Sequence, residues 1–311
     1  MIVAAAARAV RIGPVSVRAR PRAVLTAAAL AAVLAVLFCI DIARGDYAMG
    51  LGQVLDTLTG GGTRVQRFVI FDSRLPRTAT AVVVGAALGM SGAITQSVLR
   101  NPLASPDMLG ITAGAGFGAT AAVVAGTAGA LGVPVAALLG GLATALAVYL
   151  LAWRGRGVDG FRLVLIGIGI NAALTAGVGW LLVSARLDDV MKAQVWLNGS
   201  LSETSWDRFW PTALGLAATL AVAAAAGRSL AALRFGPDTA QALGVRFQRD
   251  QALLLLAAVT ATALATAAAG PVVFVGLCAG QLARRLMHTL GEPIMGSALV
   301  GAVLVVGSDI I

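Results

Sequence analysis

The chain has 311 residues, of which 59% are apolar and only 12% charged, and its mean hydropathy is +0.89. A soluble domain carries roughly a quarter charged residues, so lipid is the main solvent of this chain. The net charge of +9 does not point to nucleic acid, because the basic residues fall singly or in pairs between apolar runs rather than on one patch.

Residues 1–22 hold Arg8, Arg11, Arg18, Arg20 and Arg22 with no acid, and an apolar run of 18 residues follows from Ala23 to Ile40. That length is just enough to cross the hydrocarbon. A cleaved leader is the competing reading, but no small-x-small site follows and Phe38 precedes Cys39, so an uncleaved first helix with a cytoplasmic N-terminus is expected. Residues 41–77 are polar and Gly-rich and read as the first external segment. Further apolar runs cover about 78–98, 110–131, 133–153, 163–185, 209–227, 251–269, 271–287 and 294–311. The expectation is an all-α polytopic membrane protein with nine crossings, a single transmembrane domain over 23–311 and a second external segment at 186–208. Gly270-Pro271 marks a sharp re-entry, and the run after it is short or tilted. With the N-terminus inside, the inner segments carry a net of ten positive charges and the outer ones zero, as the positive-inside rule requires. Asp107 and Asp159 are counted among the inner acids, Asp46 among the outer ones.

In the interior of the runs no Asp, Glu, Lys, Arg or His occurs, Arg284, Arg285 and Asp309 falling at run ends. Proton-coupled transporters need titratable groups at mid-membrane, and no phosphate loop of the G-x-x-x-x-G-K-[ST] type is present. Uphill transport must therefore draw its energy from another subunit, with sodium coupling through backbone and hydroxyl oxygens as the alternative. Cys39 and Cys278 both lie in apolar runs and build no disulfide or metal framework. Nucleophiles, carboxylates and metal ligands are not clustered at usable spacing, so no catalytic residue is expected.

The most informative stretch is residues 74–110. It opens with Arg74-Leu75-Pro76-Arg77, continues through a helix marked by Gly85, Gly89 and Gly92, and closes on Gln96, Arg100-Asn101-Pro102-Leu103-Ala104 and Pro106. This order of elements resembles the FecCD/BtuC-type permeases, the membrane subunits of bacterial ABC importers for ferric siderophores, haem and cobalamin. Two further blocks carry the resemblance: residues 228–250, with Gly236-Pro237 and Ala242-Leu243-Gly244-Val245, and residues 270–286. In the last block the family's Pro-His is replaced by Gly280-Gln281, and no role is carried over for that corner.

The resemblance implies a type II ABC importer permease in the bacterial inner membrane. It would pair with a second permease subunit as a homo- or heterodimer, with two ATP-binding subunits, and with a periplasmic or lipid-anchored solute-binding protein. ATP and magnesium would be bound by the ATPase subunits. Arg74 and Arg77 would dock the carboxylates of the binding protein, a task suited to the planar guanidinium fork. Pro237, Ala242, Leu243 and Gly244 would form the loop seated in the ATPase. The fifth helix lines the path in such permeases, which singles out Asn171 and Thr175. Trp196, in Trp196-Leu197-Asn198-Gly199-Ser200-Leu201, would stand near the outer gate. That W-x-x-G-S-L stretch favours a ferric siderophore as cargo, with haem and cobalamin as alternatives. The family has ten helices, and Asp309-Ile310-Ile311 stops short of its Asp-x-x-Ala-Arg ending, so a tenth helix is expected to be missing.

Overall fold

The computed structural model describes residues 8–12, 15–19, 21–45, 47–127, 132–154, 157–158 and 160–311. Arg20, Asp46, Arg156 and Asp159 of the charge count, and the first residues of the basic N-terminal segment, lie outside the described residues. Fourteen helices carry the described chain: α1 (Pro21–Ala43), α2 (Leu51–Leu58), α3 (Arg64–Phe68), α4 (Leu75–Leu99), α5 (Ile111–Val124), α6 (Gly132–Ala152), α7 (Gly160–Val183), α8 (Leu187–Leu197), α9 (Trp206–Ala225), α10 (Gly227–Leu233), α11 (Pro237–Ala242), α12 (Phe247–Ala269), α13 (Val275–Met287) and α14 (Ile294–Asp309). The expectation of an all-α protein holds apart from two small antiparallel strand pairs, Arg8–Ile12 with Val15–Ala19 and Trp153–Arg154 with Gly157–Val158.

Among the described residues six helical runs are long and apolar enough to cross a membrane: α1, the continuous run Arg64–Leu99, α6, α7, α9 and α12. The other three expected crossings are shorter, with 14 residues in α5, 13 in α13 and 16 in α14. For α5 and α13 the cause is a re-entrant turn in front of each helix. Residues 100–110 fold through a short 3₁₀ turn at Pro106–Leu109, and residues 270–274 carry no helix. The segment read as an external loop, 41–77, instead contains α2, α3 and a π-turn at Val69–Arg74 that leads directly into α4. Pro76 stands in the first turn of α4, where its missing N–H costs nothing.

Helix α4 is the centre of the bundle. Helices α14, α12, α13 and α9 surround it, and every residue from Val83 to Val98 is buried. In lipid, helices associate through close packing and interhelical hydrogen bonds rather than through hydrophobic drive, and both are visible here. A Cβ on Gly85, Gly89 or Gly92 would fall 2.4, 2.1 and 1.8 Å from the carbonyl oxygens of Gly301, Ser297 and Gly276 respectively. The glycines therefore let α14 and α13 lie directly against the α4 backbone. Gly114 and Gly118 do the same for α5 against α6. Close helix packing accounts for these glycines. The buried Thr262 hydroxyl donates to Ser91 at 2.9 Å, and Thr219 donates to the Ala257 carbonyl at 3.0 Å. These bonds fasten α12 to α4 and to α9.

By contrast α7 buries only Leu163 and Gly167, and α1 leaves almost its whole apolar length outside. The bundle thus has a dense centre, two bare helices at its edge, and two ends, one carrying Arg74 and the other Gly244.

Candidate functional site

At the Arg74 end the two arginines separate in role. The π-turn of residues 69–74 is wound wider than an α-helix and sends Arg74 inward, to 8% exposure. Its guanidinium donates to the backbone carbonyls of Ile42 at 3.0 Å and Tyr47 at 2.6 Å. It also sits 2.8 Å from where a Cβ of Gly45 would be. Arg74 latches the segment after α1 onto the bundle, so that of the expected docking pair Arg77 is the more exposed. Arg77 is 42% exposed and grips Asp309 with both arms of its fork, Nε to Oδ2 at 2.8 Å and Nη2 to Oδ1 at 2.7 Å. Thr78 donates to Asp41 at 2.5 Å, and Arg44 reaches the Ile310 carbonyl at 2.9 Å. Asp41, Arg44, Arg74, Arg77 and Asp309 line one cleft of about 530 Å³.

Also at this end, the Trp206 indole donates to the Phe71 carbonyl at 3.0 Å and meets Phe209 edge to face at 5.3 Å, while Trp210 is exposed. Trp196 lies on α8, half-buried against Ala115 and Ala267, and its carbonyl sits 2.6 Å from the place of a Cβ on Gly270. It borders a cleft of about 580 Å³ together with Lys192, Glu203 and Arg208.

Midway along the bundle, Asn171 and Thr175 both lie on the open face of α7, and the Thr175 hydroxyl donates to the Asn171 carbonyl at 2.8 Å. Asn171 shares a pocket of about 280 Å³ with Ser105, Asp107 and Phe274. Trp196 is not part of that pocket, so the structure does not bring the three candidate path residues together. Asp107 is the residue the sequence reading misplaced. It was counted with the solvated loops, but the turn after Pro102 folds back into the bundle, and Met108 packs on Gly167, seven residues into α7. At 1.5 Å per residue this is about 10 Å from the start of that helix. The carboxylate is held by the Thr112 hydroxyl. The signal for the turn was present: Asn101 accepts the Leu103 N–H at 2.9 Å, Pro106 starts the 3₁₀ turn, and Gly110 leaves it at φ +75°. On the facing turn Phe274 has φ +71° and its ring is 66% exposed.

At the opposite end, Pro237 opens α11 and Ala242 closes it. Gly244 follows at φ +79° with its N–H on the Gln241 carbonyl, and Val245 bonds back to Ala240, a glycine-terminated helix end. Ala242, Leu243 and Gly244 are all exposed, and a side chain on Gly244 would meet open space. Phe235 at 71%, Leu243 at 64% and Leu290 at 93% exposure are the large apolar side chains of this surface. Sequence reasoning left the Gly280-Gln281 corner without a role, and here it has one. Gln281 donates to Gln96 at 3.1 Å and to the Pro102 carbonyl at 3.3 Å, while Gln96 donates to the Leu277 carbonyl at 2.9 Å. The corner ties α13 to α4 and to the re-entrant turn. Among the described residues no group of three or more His, Cys, Asp or Glu side chains is placed to hold a metal.

The helical bundle with two re-entrant turns, an arginine-lined cleft at one end and an exposed apolar loop at the other is that of a membrane transport protein. The sequence matches the FecCD transport family over residues 33–311, and the chain belongs to that family. It is 40% identical over 289 residues to the ferric enterobactin transport system permease protein FepG of Escherichia coli (strain K12), covering 93% of this chain and 87% of that protein. It is 32% identical to the iron-uptake system permease protein FeuC of Bacillus subtilis (strain 168), covering 89% and 86%. Among solved structures it resembles a transporter assigned to the metal-chelate ABC type, in an inward-facing conformation, with a TM-score of 0.81, 26% identity and coverage of 91% and 89%.

Proposed function

We propose that this chain is the membrane-spanning half of an importer for ferric siderophores, working by alternating access. It would pair with a second permease subunit, two ATP-binding subunits and an external solute-binding protein. In this reading the Gly244 end faces the cytoplasm, the N-terminus lies on the same side, and ATP and magnesium belong to the ATPase subunits. The observation that carries it is the exposed Leu243-Gly244 tip between α11 and α12. An exposed apolar tip on this end, with Phe235 and Leu290 also bare there, suits a protein partner. ATP binding would draw the two ATPase subunits together, the tip would follow, and the path between the permease halves would change the side it faces. The path would run along the open face of α7. Asn171, Thr175, Ser105 and Asp107 lie on or beside that face, and polar groups at such depth favour a water-filled path over lipid. A ferric siderophore is preferred over haem or cobalamin because FepG is named for ferric enterobactin and FeuC for iron uptake.

The test is reconstitution. The chain alone in vesicles, given only a sodium or proton gradient, is expected to accumulate no ferric siderophore. With the ATPase, the second permease half and the binding protein it should import when ATP is supplied. Accumulation on the ion gradient alone would refute the reading in favour of a carrier that acts by itself.

A further inference from the structure

One buried polar cluster belongs to none of the sites above. Glu292, in the connection between α13 and α14, is 8% exposed. One of its carboxylate oxygens accepts the Ser97 hydroxyl at 2.9 Å, and the other accepts Arg284 Nη1 at 3.3 Å. Arg234, at the start of the coupling loop, sends Nη2 to Ser97 Oγ at 3.3 Å and to the Glu292 carbonyl at 3.2 Å. Its guanidinium lies flat on Gly291, where a Cβ would fall 1.6 Å from Nη1, and its Nε is buried without a hydrogen-bond partner.

We infer that Arg234 is a positioning residue that makes the coupling loop move as one piece with the inner ends of α4 and α13. Four elements meet in the cluster: the loop through Arg234, α4 through Ser97, α13 through Arg284 and the following connection through Glu292. Pulling Arg234 away from Ser97 and the Glu292 carbonyl leaves a partly buried guanidinium without these hydrogen-bond partners, which is costly for a charged donor. A push on the Leu243-Gly244 tip is therefore passed to α4 rather than absorbed by the loop. The segment is closed at its base, with Ser229 hydrogen-bonded to Asp250, and Leu230 and Leu233 of α10 are buried in the core. Arg234 adds the polar link to α4 and to the α13–α14 connection, and Gly291 is small because the guanidinium occupies its side-chain space. Leu290, 93% exposed at the next position, is carried on the same rigid piece.

This inference rests on the coupling role proposed for the loop. The experiment uses the complete transporter in vesicles and measures ATP hydrolysed per siderophore imported. Arg234→Ala should raise that ratio roughly tenfold, a typical size for the loss of one coupling interaction, with the complex still assembled and its ATPase rate little changed. Arg234→Lys, which keeps the charge and one donor direction, should restore most of the loss. If Arg234→Ala lowers the yield of complex, Ser97→Ala carries the same test, because it removes one acceptor and leaves every charge in place. A wild-type ratio in the assembled variant overturns the inference. Gly244→Trp in the same preparation separates the two levels. If it uncouples while the Arg234 variants do not, only the role of Arg234 falls, and if it transports normally the coupling reading itself falls.

Discussion

The two ends of this bundle solve the problem of meeting a partner in opposite ways. At the Arg74 end the charges already have internal partners: Arg74 holds backbone carbonyls and Arg77 holds Asp309. At the Gly244 end the tip shows uncharged, unpartnered side chains, Leu243 foremost. A partner at the first end must exchange one ion pair for another, which is salt-sensitive and sets orientation more than strength. A partner at the second gains by covering apolar surface, at about 25 cal/mol per Å².

Four substitutions would break or sharpen this contrast. The largest effect is expected from Gly244→Trp, which puts a bulky side chain on an αL position and into the space a partner would fill. Siderophore uptake should fall at least roughly a hundredfold while the protein still inserts, since backbone strain there is only about 1–2 kcal/mol. Gly244→Asn, which tolerates αL, is the control. Next, Arg74→Ala should lower thermal stability by about 2–3 kcal/mol, the scale of charged hydrogen bonds lost from a buried site. It should alter binding-protein affinity only as a consequence of that loosening; a stable protein with lost docking would return Arg74 to the rim. Arg77→Glu should weaken docking by roughly ten- to a hundredfold, more at low salt than at high, as read by titrating labelled binding protein onto vesicles. The smallest effect is expected from Asp309→Asn, which frees the Arg77 fork from its half-open ion pair and should tighten docking by no more than about threefold.

Most of the scaffold was legible in the sequence because it rests on local patterns. The apolar runs became helices, and Gly270-Pro271 did break the chain before a short α13. Pro237 and Gly244, singled out by the family resemblance, stand at the first position of α11 and at the αL position after it, places that suit proline and glycine. What escaped depends on contacts far apart in the chain. Nothing near Arg74 says that its fork will close on Ile42 and Tyr47 rather than face water. Asp107 looked like a loop acid because composition cannot show that a loop turns back into the bundle. Arg234 and Glu292 are separated by 58 residues and meet only once α4 and α13 have packed. Gln281 shows the reverse case: a departure from the expected family residue that left its role open until its bonds to Gln96 and Pro102 were seen.

The contact between Gly85 and Gly301 bears on how such a protein can change shape. With a carbonyl of one helix lodged where the other has no side chain, α4 and α14 lack the layer of methyl groups on which packed helices slide. They behave as a single beam. A push that reaches α4 therefore carries α14 with it, and α7 and α1, the helices with the least buried surface, are the ones that beam would move against.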